Sequence, residues 1–133
     1  MFLLDTDIII YSFKGMKTVV EQFRQHADVP KALSVISYGE LIYGAHKSQQ
    51  VNNNLAKVNR LREIFPIIDV SPAIMDCFGA IKAQLSKQGL TVDDFDLLIG
   101  ATALTHGYTL VTNNEKHFAK IPDLDFVNWN KLN

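Results

Sequence analysis

The sequence predicts an α/β fold built on a parallel sheet of four to five strands. Short apolar runs alternate along the chain with longer stretches whose apolar residues recur every three or four positions, the patterns of buried strands and amphipathic helices. Helical stretches stand between the strands, so the strands connect by crossovers, and their pairing is parallel with right-handed connections. The 133 residues fit one domain, 1–133, large enough to bury a core without disulfides or structural metals. No internal repeat, low-complexity tract or Gly/Ser linker divides it.

The first element is the apolar run Phe2-Leu3-Leu4, a strand that leads into Asp5-Thr6-Asp7, any of which suits the cap of a helix over Ile8 to Phe13. Gly15 ends that helix, and a second short one spans Lys17 to about His26 with Val19, Val20 and Phe23 inward. Ala32 to Ile36 reads as the second strand, ended by Ser37, and Ser37 to Lys47 as a helix with Leu41, Ile42 and Ala45 on its apolar face. Val51, Leu55, Val58 and Leu61 mark the next amphipathic helix. Ile67 to Val70 is a third short strand, and Ser71-Pro72 is a cap with proline at the first helical position. The helix that follows carries Ile74, Phe78, Ile81 and Leu85 in register and closes at Gly89. Asp96 to His106 is apolar almost all round, as a buried helix must be, and Gly107 stops it. Thr109 to Thr112 forms the fourth strand, a helical turn covers Glu115 to Phe118, and Phe126-Val127 is a last apolar pair.

Composition narrows the function classes. A hydrophobic fraction of 47% with 20% charged residues is that of an ordinary globular chain, not a disordered one. Cys77 is the sole cysteine, which excludes an intramolecular disulfide and a cysteine-based zinc site and suits a reducing cytoplasm. The N-terminus lacks a signal peptide's basic start, and no apolar run approaches the ~18 residues of a membrane span. The formal net charge of −1 is not that of a dedicated nucleic-acid binder. Any nucleic acid must be held by a local basic patch, a bound cation or a second subunit.

In an open parallel sheet, ligands collect beyond the carboxyl ends of the strands. Acidic residues gather there. Asp5 follows the first strand, Glu40 lies a turn past the second, Asp96 opens the buried helix, and Asn113, Asn114 and Glu115 follow the fourth strand. Two like charges about 4 Å apart repel by about 4 kcal/mol at an effective dielectric near 20. A hard divalent cation relieves this. Magnesium suits an oxygen donor set, manganese can substitute, and such an ion can drive phosphodiester hydrolysis. No histidine pair has metal-ligand spacing, which argues against zinc or iron.

Each residue also has a structural reading. Asp5 suits a helix cap, Glu40 stands three residues after Ser37 as in a capping box, and Asp96, like Asp93 and Asp94, suits the positive end of a helix dipole. It is the joint pattern that points to chemistry. Asp5-Thr6-Asp7 also matches the start of haloacid-dehalogenase-type phosphatases, although the chain is short for that fold. His26, His46, His106 and His117 read as surface or helix-end residues, and Trp129 as a core lid. Lys47, Lys57, Arg60 and Arg62 form either a solvated helix face or a rim that contacts phosphates.

Four segments carry a family resemblance. Leu3-Leu4-Asp5-Thr6-Asp7-Ile8-Ile9-Ile10, Ile36-Ser37-Tyr38-Gly39-Glu40-Leu41-Ile42-Tyr43-Gly44, Asp96-Leu97-Leu98-Ile99-Gly100-Ala101-Thr102-Ala103 and Leu110-Val111-Thr112-Asn113-Asn114 with Phe118 stand in that order. In that spacing the chain resembles PIN-domain proteins, specifically VapC-type toxins of toxin–antitoxin pairs, over nearly its whole length. Asn is more usual in the family where Asp7 stands. The resemblance implies a three-layer α/β/α sandwich and a metal site at the strand ends. It implies that Asp5, Glu40 and Asp96 are metal-binding catalytic acids and that Thr6 and Thr112 orient them. It further implies an RNA substrate, commonly transfer RNA, an antitoxin partner and a homodimer. The family's frequent fourth acid is Asn114 here, which weakens the case for a second metal unless Glu115 compensates. A catalytically silent module on the same fold is the alternative. Such modules usually lose one core acid, and all three are present.

Overall fold

The computed structural model describes residues 1–131; the expected domain span of 1–133 includes Leu132 and Asn133, which lie outside them. The elements run β1 (Phe2–Leu4), α1 (Thr6–Phe13), α2 (Lys17–Gln25), β2 (Lys31–Ser34), α3 (Val35–Lys47) and α4 (Val51–Ile64). They continue as β3 (Ile67–Ile68), α5 (Pro72–Lys87), α6 (Asp94–His106), β4 (Thr109–Val111), α7 (Glu115–Phe118) and β5 (Phe126–Val127). The strands form one sheet in the order β3-β2-β1-β4-β5, and every pairing is parallel.

Strand alternation builds the layers. Leu3 pairs with Ala32 and Leu110, and all three face a core completed by Ile81, Leu85, Leu97 and Phe118. Their successors Leu4, Leu33 and Val111 point the other way, toward Ile8, Val19, Leu41, Val58 and Trp129. Because side chains alternate with period two, strands whose successive central residues are both apolar must be covered on both faces. Helices α5 and α6 cover one face and α1 to α4 the other, giving the three-layer sandwich. Each fully buried Leu or Ile in these cores contributes about 1.5–3 kcal/mol of transfer free energy. Trp129 is buried, edge-on to Phe2 and Phe23 and stacked on His26, so it closes the core as expected.

Two glycines matter to this packing. Gly107 ends α6 in the left-handed region at φ 69°. Gly100 lies inside α6 where an added Cβ would stand 2.7 Å from Ile121 Cδ1, so its lack of a side chain lets the helix approach that segment.

Several boundaries differ from the sequence expectation. The second strand stops at Ser34, not Ile36. Ser34, extended at φ −70° and ψ 145°, accepts from the Ile36 amide at 3.0 Å and caps α3. Val35 and Ile36 are apolar and read equally well as strand or first helical turn; the earlier hydroxyl decides. Ser37 is therefore not a cap but a fully buried residue within α3, its Oγ without a partner. The capping box with Glu40 does not form. Helix α1 begins at Thr6 rather than Ile8, capped by Asp5. Helix α6 begins at Asp94, because Asp93 takes the cap by accepting from the Phe95 amide at 3.1 Å. Strand β3 holds two residues, not four, and β4 stops at Val111.

The strand order fixes where a ligand can bind. From β1 the chain crosses to β2 and β3 on one side, then returns to β4 and β5 on the other. The direction reverses between β1 and β4, and a crevice opens past their carboxyl ends. Asp5 and Thr112 are the first residues there.

Candidate active site

An open depression of about 350 Å³ at that switch point is lined by Asp5, Thr6, Asp7, Ile10, Glu40, Asp96, Asn113 and Asn114. The three expected acids thus meet, contributed by the end of β1, the second turn of α3 and the first turn of α6. Asp5 is only 5% exposed. It accepts from the Thr6 amide at 2.8 Å through Oδ1 and from Thr112 Oγ1 at 2.7 Å through Oδ2. Thr112 is itself fully buried, and its oxygen accepts from the Asn114 amide at 2.9 Å, which fixes the hydroxyl's aim. Thr6 Oγ1 donates to Glu40 Oε1 at 2.7 Å. Glu40 has no cap to serve in α3, so its carboxylate is available to the depression. Asp96 likewise has no cap to serve, since Asp93 caps α6 and Asp94 pairs with Lys82 at 2.8 Å.

Electrostatics set Asp5 and Asp7 apart from surface carboxylates. Burial, the charge of Asp7 and that of Asp96 raise the Asp5 carboxyl to about 7, while the bonds from Thr112 and Thr6 oppose the shift. Burial also raises Asp7, against the amide of Asn113, which donates to Asp7 Oδ2 at 3.1 Å. Asp7 Oδ1 is buried with no partner. Such an orphan, among oxygen donors that repel one another, is the environment a hard cation satisfies. Among the described residues no three Asp, Glu, His or Cys side chains are grouped so as to enclose an ion by themselves. Magnesium needs no such cage, because it keeps waters and takes only one or two carboxylates directly.

Two site residues escaped the sequence reading. Asp7 lines the depression; the sequence offered it as one of three caps, as part of a phosphatase-like Asp5-Thr6-Asp7 start and as the position where the family more usually has Asn, and none of these made it a site residue. His117 is not merely a helix-end residue, because its Nδ1 lies 3.0 Å from Asp96 Oδ2 and 2.8 Å from the Asn114 amide nitrogen. One expectation is corrected. Glu115 does not line the depression or compensate for Asn114. Its carboxylate pairs with Lys131 at 2.6 Å and accepts from Asn128 Nδ2 at 3.0 Å. The same Asn128 amide donates to Asn113 Oδ1 at 3.1 Å, so Glu115 belongs to the scaffold behind Asn113.

The expected cationic rim divides. A groove of about 390 Å³ adjoins the depression, sharing Ile10 and Glu40 with it, and is lined also by Phe13, Lys14, Asn54 and Lys57. Lys57 thus stands beside the acids, and Lys14, not singled out from sequence, joins it. Lys47, Arg60 and Arg62 line neither cavity; Lys47 lies over the Tyr43 ring and Arg62 over Tyr38.

Known proteins agree with this geometry. A family model described as PIN domain matches residues 2–124. Over 129 residues the chain is 36% identical to "Ribonuclease VapC2" of Haemophilus influenzae, covering 96% of this chain and 97% of that protein. It is 33% identical over 128 residues to "tRNA(fMet)-specific endonuclease VapC" of Shigella flexneri, again covering 96% and 97%. Among solved structures it is similar to VapBC2 from Rickettsia felis bound to a DNA fragment from their promoter. The TM-score is 0.89 at 33% identity, covering 96% of this chain and 98% of that one.

Proposed function

This chain belongs to the PIN-domain family, in its VapC-type branch, and from that premise we propose that it is a magnesium-dependent endoribonuclease, the toxin of a toxin–antitoxin pair. The observation that carries the reading is the buried Asp5 carboxylate, clamped by Thr6 and Thr112 in one wall of a depression that also holds Glu40 and Asp96. Asp5, Glu40 and Asp96 are the catalytic acids that hold the cation, with manganese able to replace magnesium. When bound, the cation supplies charge compensation for the acids and a Lewis acid beside the scissile phosphodiester.

The protein's own groups do the positioning. Thr112 keeps Asp5 Oδ2 from rotating into the core, and Thr6 couples the first acid to the second by donating its amide to Asp5 and its hydroxyl to Glu40. Asn114 holds the Thr112 oxygen and stands beside Asp96. Lys57 and Lys14 give the RNA phosphates a cationic approach to a site whose acids repel them.

The substrate is structured RNA such as transfer RNA, a reading supported by the name of the Shigella relative. The partners are a cognate antitoxin, supported by the VapBC2 complex, and a second copy of the chain in a homodimer. The chain acts as one nuclease domain over residues 1–133. Among the described residues no helix is long and apolar enough to cross a membrane, and we place its action in the cytoplasm.

Expression in a bacterial host tests the biology. The unmodified chain should arrest growth, co-expression of its antitoxin should restore it, and Asp5→Ala should be harmless. Unimpaired growth with the folded, unmodified chain would overturn the toxin reading.

A further inference from the structure

The groove beside the acids differs from them in chemistry. It runs between α1, α3 and α4, holds about 390 Å³ and shares Ile10 and Glu40 with the acidic depression. Small-molecule sites are apolar clefts of about 300–1,000 Å³ with a few placed polar groups. The groove follows that pattern. Ile10 and Phe13 are 37% and 38% exposed beside it, and the α3 wall is low, since a Cβ added at Gly44 would meet nothing within 4 Å.

Its polar groups suit a nucleotide. Asn54 Nδ2 donates to Ser48 Oγ at 2.8 Å, and that hydroxyl donates to Ala45 O at 2.6 Å, which fixes the amide's orientation. The amide keeps a second N–H and its carbonyl oxygen, the paired donor and acceptor with which such a group reads a base edge. Lys57 Nζ stands over the Phe13 ring, 5.9 Å from its centroid. That is near the limit of cation–π attraction, about 6 Å. Among the described residues no carboxylate pairs with Lys57 or Lys14. The ring is thus covered by a flexible ammonium that a phosphate can draw off, leaving its face to a base.

We propose that this groove is a nucleobase subsite. It takes one unstacked base of the RNA, next to the scissile phosphate, against Phe13 and with its edge toward Asn54, while Lys14 and Lys57 meet the flanking phosphates. The inference rests on the ribonuclease reading and names what that site selects. Two unpaired ammonium groups suit a polyanion, and the wall shared with the depression brings a base in the groove and its phosphate at the acids within the span of one nucleotide. Bases in a duplex are stacked away, so the subsite directs cleavage to a loop, bulge or end of a structured RNA.

Cleavage kinetics of a transfer-RNA stem-loop, with a single abasic ribose placed on either side of the cut, test it. In magnesium the unmodified chain should lose about tenfold in kcat/KM, through KM, at one flanking position, as expected for a lost base–aromatic stack. Phe13→Leu keeps the wall apolar but removes the stack. It should lose the same factor on intact RNA and nothing more on the abasic substrate, whereas Phe13→Tyr should match the unmodified chain. Gly44→Leu occupies open groove space without displacing the core, so it should fold and mimic Phe13→Leu. Cleavage that no abasic position slows, or that Phe13→Leu and Gly44→Leu leave unchanged, overturns the subsite and leaves the nuclease reading intact. Unaltered cleavage with weakened antitoxin binding in those variants assigns the groove to a peptide and also overturns it. A chain that cleaves no RNA overturns both readings.

Discussion

Asp5 carries the chemistry at the residue scale, and its environment has a consequence for stability. Its carboxyl titrates near 3.8 when unperturbed and at about 7 in the folded, cation-free chain. Between those values the folded state holds a proton that the unfolded state has released. The contribution of Asp5 to stability is therefore fully present below about pH 4 and is lost as pH rises through 7, the reverse of an acid held by a salt bridge. Thermal melts in chelator should show Tm declining by several degrees from pH 5 to 8. Asp7→Asn keeps an acceptor for the Asn113 amide and removes a neighbouring charge, so it should flatten the decline and raise Tm at pH 8. An unchanged profile would mean that the acids do not interact. Asp5 was legible in the sequence because it directly follows a strand. Its burial was not, since that depends on Thr112, 107 residues away. His117 was illegible for a similar reason: its partner Asp96 lies 21 residues back, across β4, and only the fold joins them.

At the scale of elements, hydroxyl and carboxylate caps decide which acids are free. Apolar periods located α4 and α5, an all-round apolar run located α6, and Ser71-Pro72 marked the start of α5 as read. What they could not settle was which of two serines begins α3 and which of three aspartates begins α6. Adjacent polar residues compete for the same amides, and the winner depends on where the preceding strand or loop leaves the sheet. Asp93→Ala should remove the α6 cap and destabilise the protein by about 1 kcal/mol, while RNA cleavage persists. Asp96→Asn removes no cap and relieves repulsion. It should abolish cleavage and leave the cation-free protein as stable or more so. Paired melts and cleavage assays check both. A large loss of stability in Asp96→Asn would return that residue to a helix-terminus role.

For the whole molecule, the strand order and charge distribution govern how RNA reaches the acids. Helix–strand alternation made the parallel sheet legible, but the reversal between β1 and β4 was not, because periodicity does not record which edge a crossover returns to. That reversal brings Asp5, Glu40 and Asp96 to one crevice. The net charge of −1 gives RNA little long-range attraction, so local cations must supply it. Lys57→Ala should weaken RNA binding and lower the salt slope by about one for each phosphate it no longer neutralises, whereas Arg60→Ala, outside both cavities, should change less. Affinity across a salt series separates them; equal, negligible effects would place the RNA path elsewhere. The most direct test of the central claim is single-turnover cleavage of a transfer-RNA pool by the purified chain, run with magnesium, with excess chelator, and with Asp5→Ala in magnesium. Cleavage in magnesium that disappears both in chelator and in Asp5→Ala, while that variant still binds RNA with unchanged salt dependence, is the predicted result. Cleavage undiminished by chelator or by loss of the Asp5 carboxylate would contradict it.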